Sequence, residues 1–194
     1  MSSDEVKQRI IFQTIELIEN VGIPNLTIRK IAEAAGVNVA AVNYHFGSKE
    51  QLVEIAMNST LQESFVNNIN DYEGLWQTDP KQALQSFLEH TLQGAINYPN
   101  LTKAHFAKIF SQNDYQQITV TELNNFLSKF RNLISSVLRS EEDEKNRLAV
   151  VQVFSVILMT GMMPELFNSF LEFDLHSAEK QQLFIQTLID NFVK

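Results

Sequence analysis

The 194-residue chain has no cysteine. Disulfides, thiolate metal sites and cysteine nucleophiles are therefore excluded, and a reducing compartment suits the composition. Proline occurs four times and glycine six times, and no repeat or low-complexity segment is present. Cations are also scarce: 15 Lys and Arg stand against 23 Asp and Glu, a net charge of −8. A broad positive field for nucleic acid is thereby ruled out, and any such contact needs a few well-placed cations. Residues 1–60 carry five Lys/Arg and seven Asp/Glu, whereas 61–194 carry ten and sixteen, so the N-terminal part is less acidic without being basic. There is no Gly-rich phosphate loop and no nucleophile–base pattern, and His90 and His105 lack metal-ligand spacing. No catalytic residue, metal or cofactor is expected, and the chain reads as a non-enzyme. The most apolar stretch, Leu148 to Met163, is too short to span a bilayer and is interrupted by Gln152, Ser155 and Thr160. Met1 to Glu5 lacks the basic-then-apolar order of a signal peptide. A soluble cytoplasmic protein without membrane association is expected.

What the chain does have is helical periodicity from end to end, with few strand signals; 44% of residues are hydrophobic and 20% charged, as in a globular chain. Ile11, Ile15 and Ile18 form one stripe of a first helix, with Ser2 and Glu5 as a capping box and Gly22 as its stop. Thr27 caps a short helix with Ile28, Ile31, Ala32 and Ala35 inward, and Gly36 breaks it. Asn38 caps a second short helix to about His45. Ser48 with Gln51 reads as another capping box, opening a fourth helix that runs to about Asn68 or later. Asp71 to Asp79 reads as a connection. Asp79 then caps a helix with Pro80 at its first position, closed by Pro99. Asn100 is expected to cap a shorter helix to about Ser111, and a long one follows from about Tyr115 to Arg139. The acidic run Glu141 to Glu144 suits the positive end of the helix holding Leu148–Met163, which Pro164 ends or bends. Ser177 caps a last helix.

Thr27 to Leu52 carries the most information. Two short helices joined by a glycine-containing turn form a helix-turn-helix, whose first helix crosses a DNA backbone and whose second enters the major groove. Ala32, Ala35 and Ala41 are small enough for a close crossing, and Ile31, Val37 and Val42 give it an apolar centre. Asn38, Val39 and Ala40 leave the leading end of the second helix slim enough to approach base edges.

The order Thr27, Ile31-Ala32, Ala35-Gly36-Val37, Val42, Tyr44-His45-Phe46, Ser48-Lys49, Leu52 resembles the N-terminal signature of the TetR family of regulators. The resemblance covers about the first quarter of the chain. It implies an all-α fold: a three-helix helix-turn-helix domain over 1–50, a linking helix over about 48–70, and a larger helical ligand-binding and dimerisation domain over 51–194. It also implies roles. Thr27 and the amides beside it face a phosphate; Arg29 and Lys30 stand near the backbone or a base edge. Asn38, Val39, Ala40 and Ala41 lead the recognition helix, where the three apolar residues offer contact only to groups such as a thymine methyl. Asn43, Tyr44, His45 and Lys49 become candidate phosphate contacts. Plainer readings stand beside these: Thr27 and Asn38 as caps alone, Tyr44 and His45 packing on the fourth helix, Lys49 as a solvated lysine.

For the rest of the chain the resemblance implies a small-molecule effector and a homodimer on a palindromic double-stranded operator, acting as a repressor. Phe87, Phe106, Phe110, Phe126, Phe130, Met159, Met163 and Phe167 are candidate lining of an apolar cavity, ordinary core being the alternative. Val151, Phe154 and Leu158, with Leu188 and Phe192, suit a four-helix interface built from two helices of each subunit. A helical module that binds protein rather than DNA is the competing class; low basic content favours it, and the Thr27–Lys49 pattern opposes it.

Overall fold

Local caps set the helix starts in the computed structural model, which describes residues 2–192 except 68, 70, 117 and 139. At α1 (Ser3–Val21) the Ser2 hydroxyl accepts the Glu5 N–H at 3.2 Å, and the Ser2 N–H donates to the Glu5 carboxylate at 2.7 Å. This is the reciprocal box expected there. Gly22 stops the helix at φ +74°, a region glycine enters without strain. A 3-10 turn, Ile23–Asn25, leads to α2 (Ile28–Ala34), α3 (Val39–Phe46) and α4 (Lys49–Leu61). The Ser48 hydroxyl caps α4 by accepting the Gln51 N–H. The other half of the expected box does not form, because the Ser48 N–H donates to Phe46 O at 2.8 Å. At Leu61 the chain passes into a π-helical turn, Gln62–Asn67. The ends expected for the fourth helix, at Asn68 or 70, lie outside the described residues.

The remaining helices are α5 (Glu73–Thr78), α6 (Pro80–Asn97), α7 (Pro99–Gln112), α8 (Ile118–Leu138), α9 (Asp143–Met162), α10 (Pro164–Leu171) and α11 (Ala178–Phe192). No strand occurs among the described residues, in keeping with an all-α chain. Three expectations change. The supposed connection at 71–79 holds helix α5, because Trp76 is buried and Leu75 packs on the same core. Burial there outweighs the poor helix propensity of Gly74. Pro99 opens α7 rather than only closing the helix before it, which makes Asn100 an internal first-turn residue and not the cap. The long helix starts at Ile118 and not near Tyr115, after Asn113 takes φ +53° and turns the chain out of α7. Its expected end at Arg139 is outside the described residues.

The chain divides into two units: Met1–Gln62 with Asn100–Asp114, and Glu63–Pro99 with Tyr115–Lys194. The split expected at residue 50 therefore differs from the observed one, since α4 and α7 both belong to the first unit. The reason is a shared core: Leu52, Ala56 and Leu101 are buried with Ile10, Ile18, Leu26, Ile31, Val42 and Phe46. The first unit carries seven Lys/Arg and eight Asp/Glu, the second eight and fifteen, so the second holds nearly all the acidity.

The second unit is organised around three rings packed on one another. Phe87 lies 5.2 Å from Phe130 and 6.0 Å from Phe126, and those two are 5.6 Å apart, centroid to centroid. Leu84, Leu92, Val153, Ile157, Ile185 and Ile189 complete this core. Helices α6 and α9 cross closely where Gly161 meets Ala95. Among the described residues, no single helix is long and apolar enough to cross a membrane.

Candidate nucleic-acid interface

Everything that orients α3 follows from short-range chemistry. The Thr27 hydroxyl accepts the Lys30 N–H at 3.2 Å and starts α2. Gly36, at φ +61°, turns the chain, and Val37 N–H returns to Ala32 O at 2.9 Å. The Asn38 carboxamide then accepts the Ala41 N–H at 2.8 Å and starts α3. These caps satisfy amides that a helix start leaves without intrahelical partners. Ile31, Ala32, Ala35 and Val42 are all buried where the two helices meet, so the small side chains permit the crossing that their sizes suggest. Phe46 is buried too, and it anchors the far end of α3.

With Val42 and Phe46 inward, the outward face of α3 presents Val39, Ala40, Asn43 and Tyr44, all exposed, with Ala41 half-buried. Tyr44 keeps 85% of its surface, which ends the alternative in which it packs on the fourth helix. His45 is half-buried, its ring edge-on to Tyr44 at 5.2 Å and tilted against Phe46 at 6.1 Å. Arg29 and Lys30 are exposed on α2. Lys30 Nζ donates to Asn25 O at 3.0 Å, and Lys49 Nζ donates to Leu26 O at 3.3 Å across 23 residues. Lys49 thereby ties the start of α4 to the strand of chain just before the Thr27 cap. An ammonium has three donors, so either lysine can hold its carbonyl and still face an anion.

Such a module also has counterparts of known kind. Residues 10–56 match the family model described as bacterial regulatory proteins, tetR family. The HTH-type transcriptional regulator BetI 1 of Chromohalobacter salexigens is 38% identical over 55 residues, which is 28% of this chain and only 27% of that protein. The probable HTH-type transcriptional regulator YttP of Bacillus subtilis is 22% identical over 198 residues, covering 94% of this chain and 89% of that one. A TetR transcription regulator from Haloarcula marismortui shares the fold over 98% of this chain and 100% of its own, with a TM-score of 0.66 at 21% identity. The N-terminal quarter of the chain is thus similar to the DNA-binding part of TetR-family regulators, and the chain as a whole shares the fold of solved ones.

The eight candidate cavity residues are divided between the two units. Phe106 and Phe110 lie in the first unit, and Phe110 is 77% exposed. Phe87, Phe126 and Phe130 are packed on one another as solid core. Met159 is exposed, whereas Met163 and Phe167 are half-buried. Aromatic count alone carries no information on which core a ring joins. The candidate dimer residues share a more uniform setting: Val151 is 56% exposed, and Phe154, Leu158, Leu188 and Phe192 are half-buried. Leu148, Val156 and Met159 add exposed apolar surface to the same helix, α9.

Two features escaped the sequence reading. Glu19, on α1, caps α7 through bonds to Asn100 and Leu101. His105, considered above only for its metal-ligand spacing, is half-buried against Thr60 of α4 at 2.9 Å. The Thr60 hydroxyl spends its one proton on Met57 O at 2.8 Å, so it must accept from His105, which puts the imidazole proton on Nε2. Nδ1 is then a buried acceptor without a partner. Burial pushes the imidazole pKa down to about 4. No pattern at a spacing of 45 or 81 residues announces such pairs.

Proposed function

We propose that this chain is a TetR-family transcriptional regulator that binds a palindromic DNA operator as a homodimer, represses transcription in the cytoplasm, and is released by a small apolar or amphipathic effector. The exposed, capped face of α3 carries the reading. Its side chains are short at Val39, Ala40 and Ala41 and long only at Tyr44, so the helix axis can come close to base edges. Arg29, Lys30 and Lys49 flank that face with cations, with Thr27, Asn43, Tyr44 and His45 as further phosphate partners. Because the leading residues lack hydrogen-bonding groups other than the committed Asn38, sequence is read chiefly by Arg29 and by DNA shape.

Dimerisation is supported by the uncovered apolar stripe of α9, including Leu148, Val151 and Met159. Leu188 and Phe192 of α11 are the second helix's contribution to the same interface. A two-fold pair of recognition helices must stand about 34 Å apart to read two half-sites one turn away. An effector that prefers one spacing shifts the population toward it and so changes DNA affinity. Repression and effector release rest on the family resemblance.

Selection from random duplex DNA tests the proposal, followed by affinity at several salt concentrations. A palindrome should be enriched. With about six phosphates neutralised per dimer, log affinity should fall against log salt with a slope near −5. Arg29→Ala and Lys49→Ala should both weaken binding, and only Arg29→Ala should change the selected sequence. An absence of enrichment at low salt would instead favour a protein-binding helical module.

A further inference from the structure

We infer that the first unit holds a site for a small amphipathic carboxylate, in a cavity between the end of α1 and α7. Gly22 stops α1 at φ +74°, and the 3-10 turn Ile23–Asn25 follows. The end of α1, that turn and α7 border an open cavity of about 410 Å³. Every residue that lines it belongs to the first unit. Small-molecule sites occupy roughly 300–1,000 Å³, so the space suits a small ligand. Ile18, Val21, Ile23 and Pro24 supply apolar wall on one side, and Ala104 and Ala107 on the other. The two alanines are three apart and share one face of α7, and their short side chains leave the space open.

Charge decides which ligand fits. Lys103 is the one ionisable residue among those that line the cavity. It is exposed and makes no ion pair with the described residues. The C-terminal end of a helix ordinarily favours a cation. Here three of the last four carbonyls of α1 are already taken: Ile18 O by Gly22 N at 3.0 Å, Glu19 O by Asn100 Nδ2 at 2.9 Å, and Val21 O by Asn25 Nδ2 at 2.9 Å. The Glu19 carboxylate is likewise spent, accepting from Asn100 N at 3.3 Å and Leu101 N at 2.8 Å. Asn20 and Asn100, which also line the cavity, each give one carboxamide N–H to an α1 carbonyl and keep a second donor. A carboxylate at the mouth thus meets an ammonium and amide donors, while its apolar tail lies on Ile18, Ile23 and Ala104.

The test is a titration of the full-length chain, labelled at its isoleucine and alanine methyl groups, with hexanoate and separately with 1-hexanol, read by NMR at neutral pH. The Ile23, Ala104 and Ala107 methyl signals should shift and saturate with hexanoate, at a Kd on the order of 1 mM for so small a ligand. 1-Hexanol has the same chain length without the charge and should bind about threefold to fivefold more weakly. Lys103→Gln should weaken hexanoate by about the same factor and leave 1-hexanol unchanged. Ala107 is exposed, so Ala107→Leu fills the cavity without touching the core and should abolish binding of both probes. No shift at these methyl groups by roughly 10 mM hexanoate overturns the inference, as do shifts confined to second-unit methyl groups such as those of Ile157 and Ile185. Equal affinity for the two probes, or equal hexanoate affinity in wild type and Lys103→Gln, overturns it as well. No DNA is involved, so this failure and failure of the DNA-binding reading are separate results.

Discussion

Gly161→Ala tests whether the second unit depends on the close crossing of α6 and α9. A Cβ added at Gly161 would overlap Ala95 Cβ and would stand 3.4 Å from Ala95 Cα and 3.5 Å from its carbonyl carbon. Two of those three atoms are backbone, so no flexible side chain can move aside, and the helices themselves must separate. Overpacking of this kind costs about 1–3 kcal/mol. Replacing glycine by alanine in a helix returns up to about 1 kcal/mol, and less here, one residue from the end of α9. The net expectation is a loss of about 1–2 kcal/mol, read as a lower urea midpoint at fixed protein concentration. The swap Gly161→Ala with Ala95→Gly moves the methyl group to the other helix and removes the overlap. It should be more stable than Gly161→Ala alone, although Ala95→Gly by itself weakens α6 by about 1 kcal/mol. If Gly161→Ala is as stable as wild type, or if the two changes simply add, the steric argument is wrong.

Tyr44→Ala removes a side chain that is 85% exposed, so the melting temperature should stay unchanged while affinity for the selected duplex falls severalfold; unchanged affinity would remove Tyr44 from the interface. His105 should make the fold acid-sensitive, because its pKa is lowered from 6.5 to about 4 by burial. The unfolded chain then binds the extra proton between those values, so this contribution is complete above pH 6.5 and is lost as pH falls toward 4, with a ceiling of roughly 3 kcal/mol. His105→Gln keeps an N–H donor for Thr60 without a titrating ring, and its urea midpoint should drop less than that of wild type between pH 7 and pH 4.5. Parallel losses in the two proteins would rule out His105 as the cause.

How much of this was legible beforehand depends on the reach of each interaction. Ser2 with Glu5, Thr27 with Lys30, Asn38 with Ala41 and Ser48 with Gln51 are all bonds between residues three apart. Such contacts form from local geometry alone, so the helix-turn-helix and its exposed face could be read directly from residue order. Gly22, Gly36 and Gly47 all take the positive φ that their places between helices demand. The all-α class followed likewise from a period that every helix repeats.

Tertiary structure decided the rest. Helix α5 exists because Trp76 finds a core to enter, which no window around Gly74 discloses. Fourteen phenylalanines advertise apolar surface, but only packing assigned Phe106 to the first unit and stacked Phe87, Phe126 and Phe130 in the second. The cap on α7 comes from Glu19, 81 residues upstream, and the partner of His105 lies 45 residues away. Hydrophobic burial is non-directional, and long-range hydrogen bonds depend on where it leaves each helix. Sequence therefore determined the local elements and the resemblance of the first quarter, whereas only the folded chain determined which helices share a core and which residues hold α7 in the first unit.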